Sequence, residues 1–282
     1  MKTIITSLGM IVFVAAVVAG GTGAFFSDTE TSTGNVFTAG AIDLTVDSKQ
    51  TYNGNVCMLV DHDEDEETPM IYQWVGNASY PTGACSGTWE AANLGAQKFF
   101  EFDDVKPGDN GHNSISLHID NNDAYACVDI NVTANDDVST VDPETDAGDQ
   151  VENPANLFDG ELAQNLNFFA WGDTDGDNVW EIGEFPLFSF PHYGPASDVL
   201  TSKTYTLADA NTAPLPGGST SWVGLSWCAG GMTVDVPTAT LSCNGAAMGN
   251  VAQTDSMVAN IAFRVEQSRN NANFRCTPVQ PS

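Results

Sequence analysis

The sequence predicts an all-β fold, a jelly-roll-like β-sandwich with short helices and acidic loop insertions. Three observations predict it. Apolar residues recur at every second position in several stretches, the period of a half-buried strand. Turn-forming residues punctuate the intervals between these stretches. Helical periodicity, by contrast, is scarce. With 42% of its 282 residues hydrophobic, the chain has enough apolar side chains to bury a core, which excludes disorder throughout.

The elements follow in order. Ile42, Leu44 and Val46 alternate with Asp43, Thr45 and Asp47. Ile115, Leu117 and Ile119 alternate with Ser116, His118 and Asp120, and Val128, Ile130 and Val132 with Asp129, Asn131 and Thr133. Val223, Leu225 and Trp227 form a fourth such face, and Ala259, Ile261, Phe263 and Val265 a fifth. Between them stand Lys106-Pro107-Gly108-Asp109, Asn121-Asn122-Asp123 and Pro216-Gly217-Gly218. Pro and Gly at the second and third positions of the first fit a type II turn, whose third residue has a positive φ. The best helical candidate runs from Asn156 to Asn165, with Leu157, Phe158, Leu162 and Leu166 roughly on one face. Two stretches read as insertions: the acidic run Asp61 to Glu67, and Val138 to Pro154, which lacks periodicity. No repeat and no long linker divides residues 25–282, which are therefore expected to form a single domain.

Charge narrows the partners. Asp and Glu number 37 against 8 Lys and Arg, a formal net charge of -29. Nucleic-acid binding is excluded as an ordinary function, because phosphates are contacted mainly by basic side chains. Docking on anionic lipid lacks its polybasic patch. A lysine-poor, acidic surface suits a secreted β protein and cation binding.

The N-terminus carries an export signal. Lys2 precedes an apolar run from Leu8 to Ala19, and small residues follow, with Thr22 and Ala24 at the -3 and -1 positions of a cut before Phe25. That is the layout of a secretory signal peptide, residues 1–24. The competing reading is a retained anchor; the stretch from Ile4 to Ala19, interrupted by Thr6 and Ser7, falls short of the ~20 residues of a span. Membrane contact is expected only before cleavage. All six cysteines, Cys57, Cys85, Cys127, Cys228, Cys243 and Cys276, lie beyond the cut. An even count in an exported chain predicts three disulfides, for which sequence leaves about 15 pairings open. Loop length favours Cys57–Cys85 and Cys228–Cys243, leaving Cys127–Cys276. A zinc site finds no C-x-x-C pair and no neighbouring His.

The sharpest motif runs from Trp171 to Glu184. With Asp173 as position 1, acids fall at Asp175, Asp177, Glu181 and Glu184, and the Val179 carbonyl at position 7, the ligand pattern of an EF-hand-type calcium loop. Hard Ca²⁺ takes six to eight oxygens, and alternate residues of a tight loop can aim them at one centre. Asn178 replaces the usual Gly, and Asn tolerates left-handed backbone. The flanks read as strands, so the expectation is a Ca²⁺ loop set between strands. Asp61 to Glu67 lacks Gly and a closing acid and reads as a solvated charge run. For catalysis the yield is thin: His62, His112, His118 and His192 never form H-E-x-x-H, and no nucleophile elbow or P-loop occurs.

Gly20-Gly-Thr-Gly-Ala24, Phe25-Phe-Ser-Asp28 and Gly34 to Leu44 together resemble the start of the TasA/camelysin family, exported proteins processed by a signal peptidase of the SipW type. Phe99 to Asp109, Ser116 to Asp123 and Trp171 to Glu184 extend the resemblance, and Ala252 to Ser256 with Gln267 to Asn271 looks like the ending of longer members. The resemblance implies a jelly-roll subunit that assembles outside the cell, in the matrix or at the surface, into a head-to-tail homopolymer. It also implies that the segment after the cleavage site, residues 25–34 with Phe25, Phe26, Ser27 and Asp28 at its head, is donated as a strand to the next subunit. Such a strand supplies main-chain hydrogen bonds and aromatic anchors to an open edge. Two alternatives come with it: a camelysin-like extracellular metallopeptidase, and a monomeric surface adhesin held by an uncleaved signal.

Overall fold

The computed structural model describes residues 27–32, 36–38, 43–61 and 69–278. The expected signal segment 1–24, its expected cleavage point at Ala24 and Phe25, and most of the Asp61 to Glu67 run lie outside the described residues. Sixteen strands dominate the described residues. In chain order they are β1 (Ser27–Ser32), β2 (Val36–Thr38), β3 (Leu44–Tyr52), β4 (Asn55–Val60), β5 (Ile71–Val75), β6 (Trp89–Ala92), β7 (Asn110–Ile119) and β8 (Ala124–Asp137). There follow β9 (Leu166–Asp173), β10 (Phe185–Pro186), β11 (Tyr193–Pro195), β12 (Lys203–Ala208), β13 (Ser219–Ala229), β14 (Gly231–Asp235), β15 (Thr240–Asn244) and β16 (Asp255–Gln267).

Two antiparallel sheets face each other. One has the order β12-β8-β16-β1-β2; the other runs β10-β9-β13-β7-β3-β4-β5, with β6 and β11 added on β3 and β9. Many neighbours are distant in sequence, the connectivity of Greek-key sandwiches. The alternating residues fill the space between: Leu44, Val46, Ile115, Leu117, Ile119, Val128, Ile130, Val132, Val223, Leu225, Trp227, Phe263 and Val265 belong to one buried cluster. All five strands read from alternation are present, and the chain is all-β as expected. The turn Lys106 to Asp109 is also as read, with Gly108 at φ 94° and the Asp109 amide donating to the Lys106 carbonyl at 2.9 Å.

A second, smaller core lies apart from the sandwich interior. Phe169, Trp171, Trp180, Cys228 and Met232 form it, with Val234 and Leu241 packed alongside. Strand β9 serves both cores. Phe168 and Ala170 join the sandwich interior, whereas Phe169 and Trp171 join the second cluster. The β14–β15 hairpin contributes to the second cluster and is tied to β13 by the Cys228–Cys243 disulfide. Two further disulfides join Cys57 to Cys85, and Cys127 of β8 to Cys276 in the C-terminal tail.

The expected helix from Asn156 to Asn165 is corrected. Only Leu162–Asn165 is helical, and Leu157 and Phe158 are exposed. Asn156 accepts the Phe158 amide and Asp159 the Asn153 amide, and these side chains hold turns that compete with a helix. The other insertion holds a helix that periodicity did not signal, Asp142–Ala147, whose Glu144 reaches back to the Val141 amide at 2.7 Å.

Candidate functional site

Strand β9 ends on Asp173, and the acidic loop begins there. Asp173 is buried, and its carboxylate organises the turn: Oδ1 accepts the amides of Asp175 (3.3 Å) and Gly176 (2.7 Å), and Oδ2 that of Asn178 (3.0 Å). Asp175 then accepts the Asp177 amide, and Asp177 the Val179 amide at 2.7 Å. Each carboxylate thus reaches an amide two or more residues ahead, which coils the loop tightly. The backbone is left-handed at Gly176, Asn178 and Gly183, with φ of 78°, 64° and 110°. Asn178 therefore adopts the conformation its side chain allows, as its place in the motif requires. Gly176 has no room for a side chain, since a Cβ there would stand 2.7 Å from the Trp222 ring.

Three of the six residues in the ligand pattern converge. Carboxylate oxygens of Asp173, Asp175 and Asp177 lie within 4.8 Å of one another. Glu184 is buried and takes a different part, closing the loop by accepting the Thr174 amide on Oε1 (2.7 Å) and the Glu181 amide on Oε2 (2.9 Å). Glu181 and Val179 are exposed. The donors brought together are all carboxylate oxygens, the set that suits a hard cation rather than the nitrogen- and sulfur-seeking Zn²⁺.

The N-terminal segment is placed at the opposite sheet. Ser27 and Asp28 open β1, which pairs antiparallel with β16 along its whole length, Ser27 opposite Glu266 and Ser32 opposite Ile261. Strand β2 folds back on β1, Thr31 opposite Val36. Phe25 and Phe26 lie outside the described residues. His118 joins a cross-strand ladder, with Nε2 2.7 Å from Asp47 Oδ2 and Nδ1 3.0 Å from Thr220 Oγ1.

Sequence reasoning missed a second gathering of acids, in which Asp137, Glu144 and Asp255 bring carboxylate oxygens within 4.8 Å of one another. Its members come from a strand end, an insertion and a distant strand start, so no spacing motif could report it.

Fold and loop together define an antiparallel β-sandwich with carboxylate-only clusters of the hard-cation kind. Residues 2–58 match the family model described as camelysin metallo-endopeptidase, so the resemblance to the TasA/camelysin family holds over the N-terminal part of the chain. No curated protein and no solved structure matches the chain. Among the described residues no helix is long and apolar enough to cross a membrane.

Proposed function

We propose that this protein is an exported structural subunit of extracellular fibres or surface filaments, joined by exchange of β1 and stabilised by Ca²⁺ at the loop from Asp173 to Glu184. One observation carries the reading. Strand β1, which follows the expected cleavage point, pairs with β16 over six residues in register, one strand in from the edge strand β2 of the five-stranded sheet. Antiparallel main-chain pairing of this kind is independent of which copy supplies the strand. A β1 that leaves its own β16 and pairs with a neighbour's repeats the same register. The exchange is head-to-tail, so it does not close, and it propagates a filament. Phe25 and Phe26, directly ahead of β1, supply the aromatic anchors. The match of residues 2–58 supports export.

The peptidase named in the family description is the second reading. Both acidic groups among the described residues that are suited to a metal lack histidine, whereas a catalytic zinc is typically held by histidine-containing sets with an open position. That favours a structural role for bound cations.

Removal of residues 25–32 from the mature protein tests the assembly. The expected product is a folded monomer, seen by near-UV circular dichroism and sedimentation, that forms no filaments in electron micrographs. Filaments of native appearance from the truncated chain would refute exchange of β1.

A further inference from the structure

Six carboxylates from separate stretches of chain gather where β8 ends and β16 begins. Asp137 closes β8, Asp255 opens β16, and the two are register partners. Glu144 projects from the helix Asp142–Ala147, Asp149 follows that helix, and Asp159 and Glu161 flank Gly160. Oxygens of Asp137, Glu144 and Asp255 lie within 4.8 Å of one another. The Glu161 carboxyl feels the charges of Asp149, Asp255 and Asp137, and the Asp137 carboxyl those of Asp149 and Asp159.

The cluster has fewer donors than buried carboxylate oxygens. Each aspartate commits one oxygen to its local frame. Asp137 Oδ2 accepts the Thr140 hydroxyl, and Asp255 Oδ2 the amides of Glu161 (2.5 Å) and Leu162 (2.9 Å). Asp149 Oδ1 accepts the Gln150 amide, and Asp159 Oδ2 the Asn153 amide. The remaining oxygens, Oδ1 of Asp137, Asp159 and Asp255, Oδ2 of Asp149 and Oε2 of Glu161, are shielded from solvent and have no partner. Asp137 is only 2% exposed and Glu144 fully buried. The ion pairs among the described residues involve Glu101, Asp104, Asp47 and Asp129, and none of these six. Buried carboxylates without a counter-charge are costly. Burial, and then the neighbouring carboxylates, push Glu161 up to about 7 and Asp255 to about 6.

We propose that Asp137, Glu144, Asp149, Asp159, Glu161 and Asp255 form a second divalent-cation site, of calcium type, that clasps residues 138–161 to the ends of β8 and β16. The donors are all oxygens and are unequal in reach, which suits the flexible six-to-eight-fold shell of Ca²⁺ better than the strict octahedron of Mg²⁺. The cation takes the unpartnered oxygens together with Glu144 Oε1, which accepts a long hydrogen bond from the Thr254 hydroxyl (3.4 Å), while the hydrogen-bonded oxygens hold each carboxylate in place. The site is separate from the loop at Asp173 and independent of fibre formation, which is read by microscopy alone.

Hydrogen exchange by mass spectrometry tests it on the full mature protein, stripped with EDTA and then given CaCl₂ alone. Calcium is expected to slow exchange across residues 138–161 in the wild type and equally in Asp175→Asn/Asp177→Asn, and to leave it unchanged in Asp137→Asn/Asp255→Asn. No calcium-dependent protection of 138–161 in the wild type overturns the proposal, as does undiminished protection in Asp137→Asn/Asp255→Asn. Should that double variant not fold, Glu161→Gln decides: a several-fold rise in the half-saturating calcium supports the site, and an unchanged value overturns it.

Discussion

Trp180 packs edge-on against Phe169, with ring centroids 4.6 Å apart and planes inclined by 60°. The indole comes from the middle of the acidic loop and the phenyl from β9, so Trp180 anchors the loop in the second core. Asp173 holds its start by hydrogen bonds, and Trp180 holds its far side by burial.

Replacing Trp180 with Ala should therefore cost about 3–5 kcal/mol, as large-to-small changes at buried aromatics do. Trp180→Phe, which keeps a ring against Phe169, should cost less. Urea unfolding monitored by circular dichroism measures both, and a loss below about 1 kcal/mol for Trp180→Ala would show that the ring is not a core residue.

The disulfides should differ in worth. Cys127–Cys276 closes a loop with a sequence separation of 149 residues and Cys228–Cys243 one of 15. Loop-closure entropy assigns about 5 kcal/mol to the first and about 3 kcal/mol to the second. Paired Cys→Ser variants, melted side by side, should fall in that order, and the reverse order would count against the loop-entropy account.

His112 should confer acid sensitivity. Burial lowers its pKa, so the folded protein resists a proton that the unfolded chain accepts near pH ~6.5. The unfolded state then binds more protons, and stability is lost as pH falls below that value. Above it the contribution is constant. The Tm of His112→Gln should fall less steeply than that of the wild type between about pH 7 and about pH 5; parallel curves would contradict the assignment.

Strand exchange can be read covalently. Thr31 and Ala262 are opposed across β1 and β16. With both replaced by Cys, oxidised filaments should yield a ladder of covalent oligomers on a non-reducing gel, and dispersed monomers a single internally bridged species. A filament that yields only internally bridged monomers would mean that β1 stays on its own subunit.

The sandwich was legible because its inward positions alternate with polar ones: Ile115, Leu117 and Ile119 in β7 each face the core, as the period-two pattern requires. The second core was not, because a strand buried on both faces has no alternation to read. Leu166 to Trp171 is close to a continuous apolar run, and the β14–β15 hairpin that covers part of it carried no strong pattern. In the acidic loop, spacing located Asp173, Asp175 and Asp177 as a converging set, but could not tell that Glu184 turns to backbone amides. The helix reading over Asn156 to Asn165 weighed apolar spacing and overlooked how readily Asn156 and Asp159 bond to nearby amides. The acids at Asp137 and Asp255 become neighbours only through the register of β8 with β16, which depends on the completed sheet.

Strand β9 is a partition one residue thick. Phe168 and Phe169 are consecutive in the chain, yet each looks into a different interior. Fluorine labels on these two rings would act as separate thermometers a single peptide bond apart, one sensing the sandwich and the other the compartment closed by Trp180 and the β14–β15 hairpin. Divergence of their melting curves would divide the molecule into parts that yield independently, and coincidence would mean that the wall and both rooms collapse together.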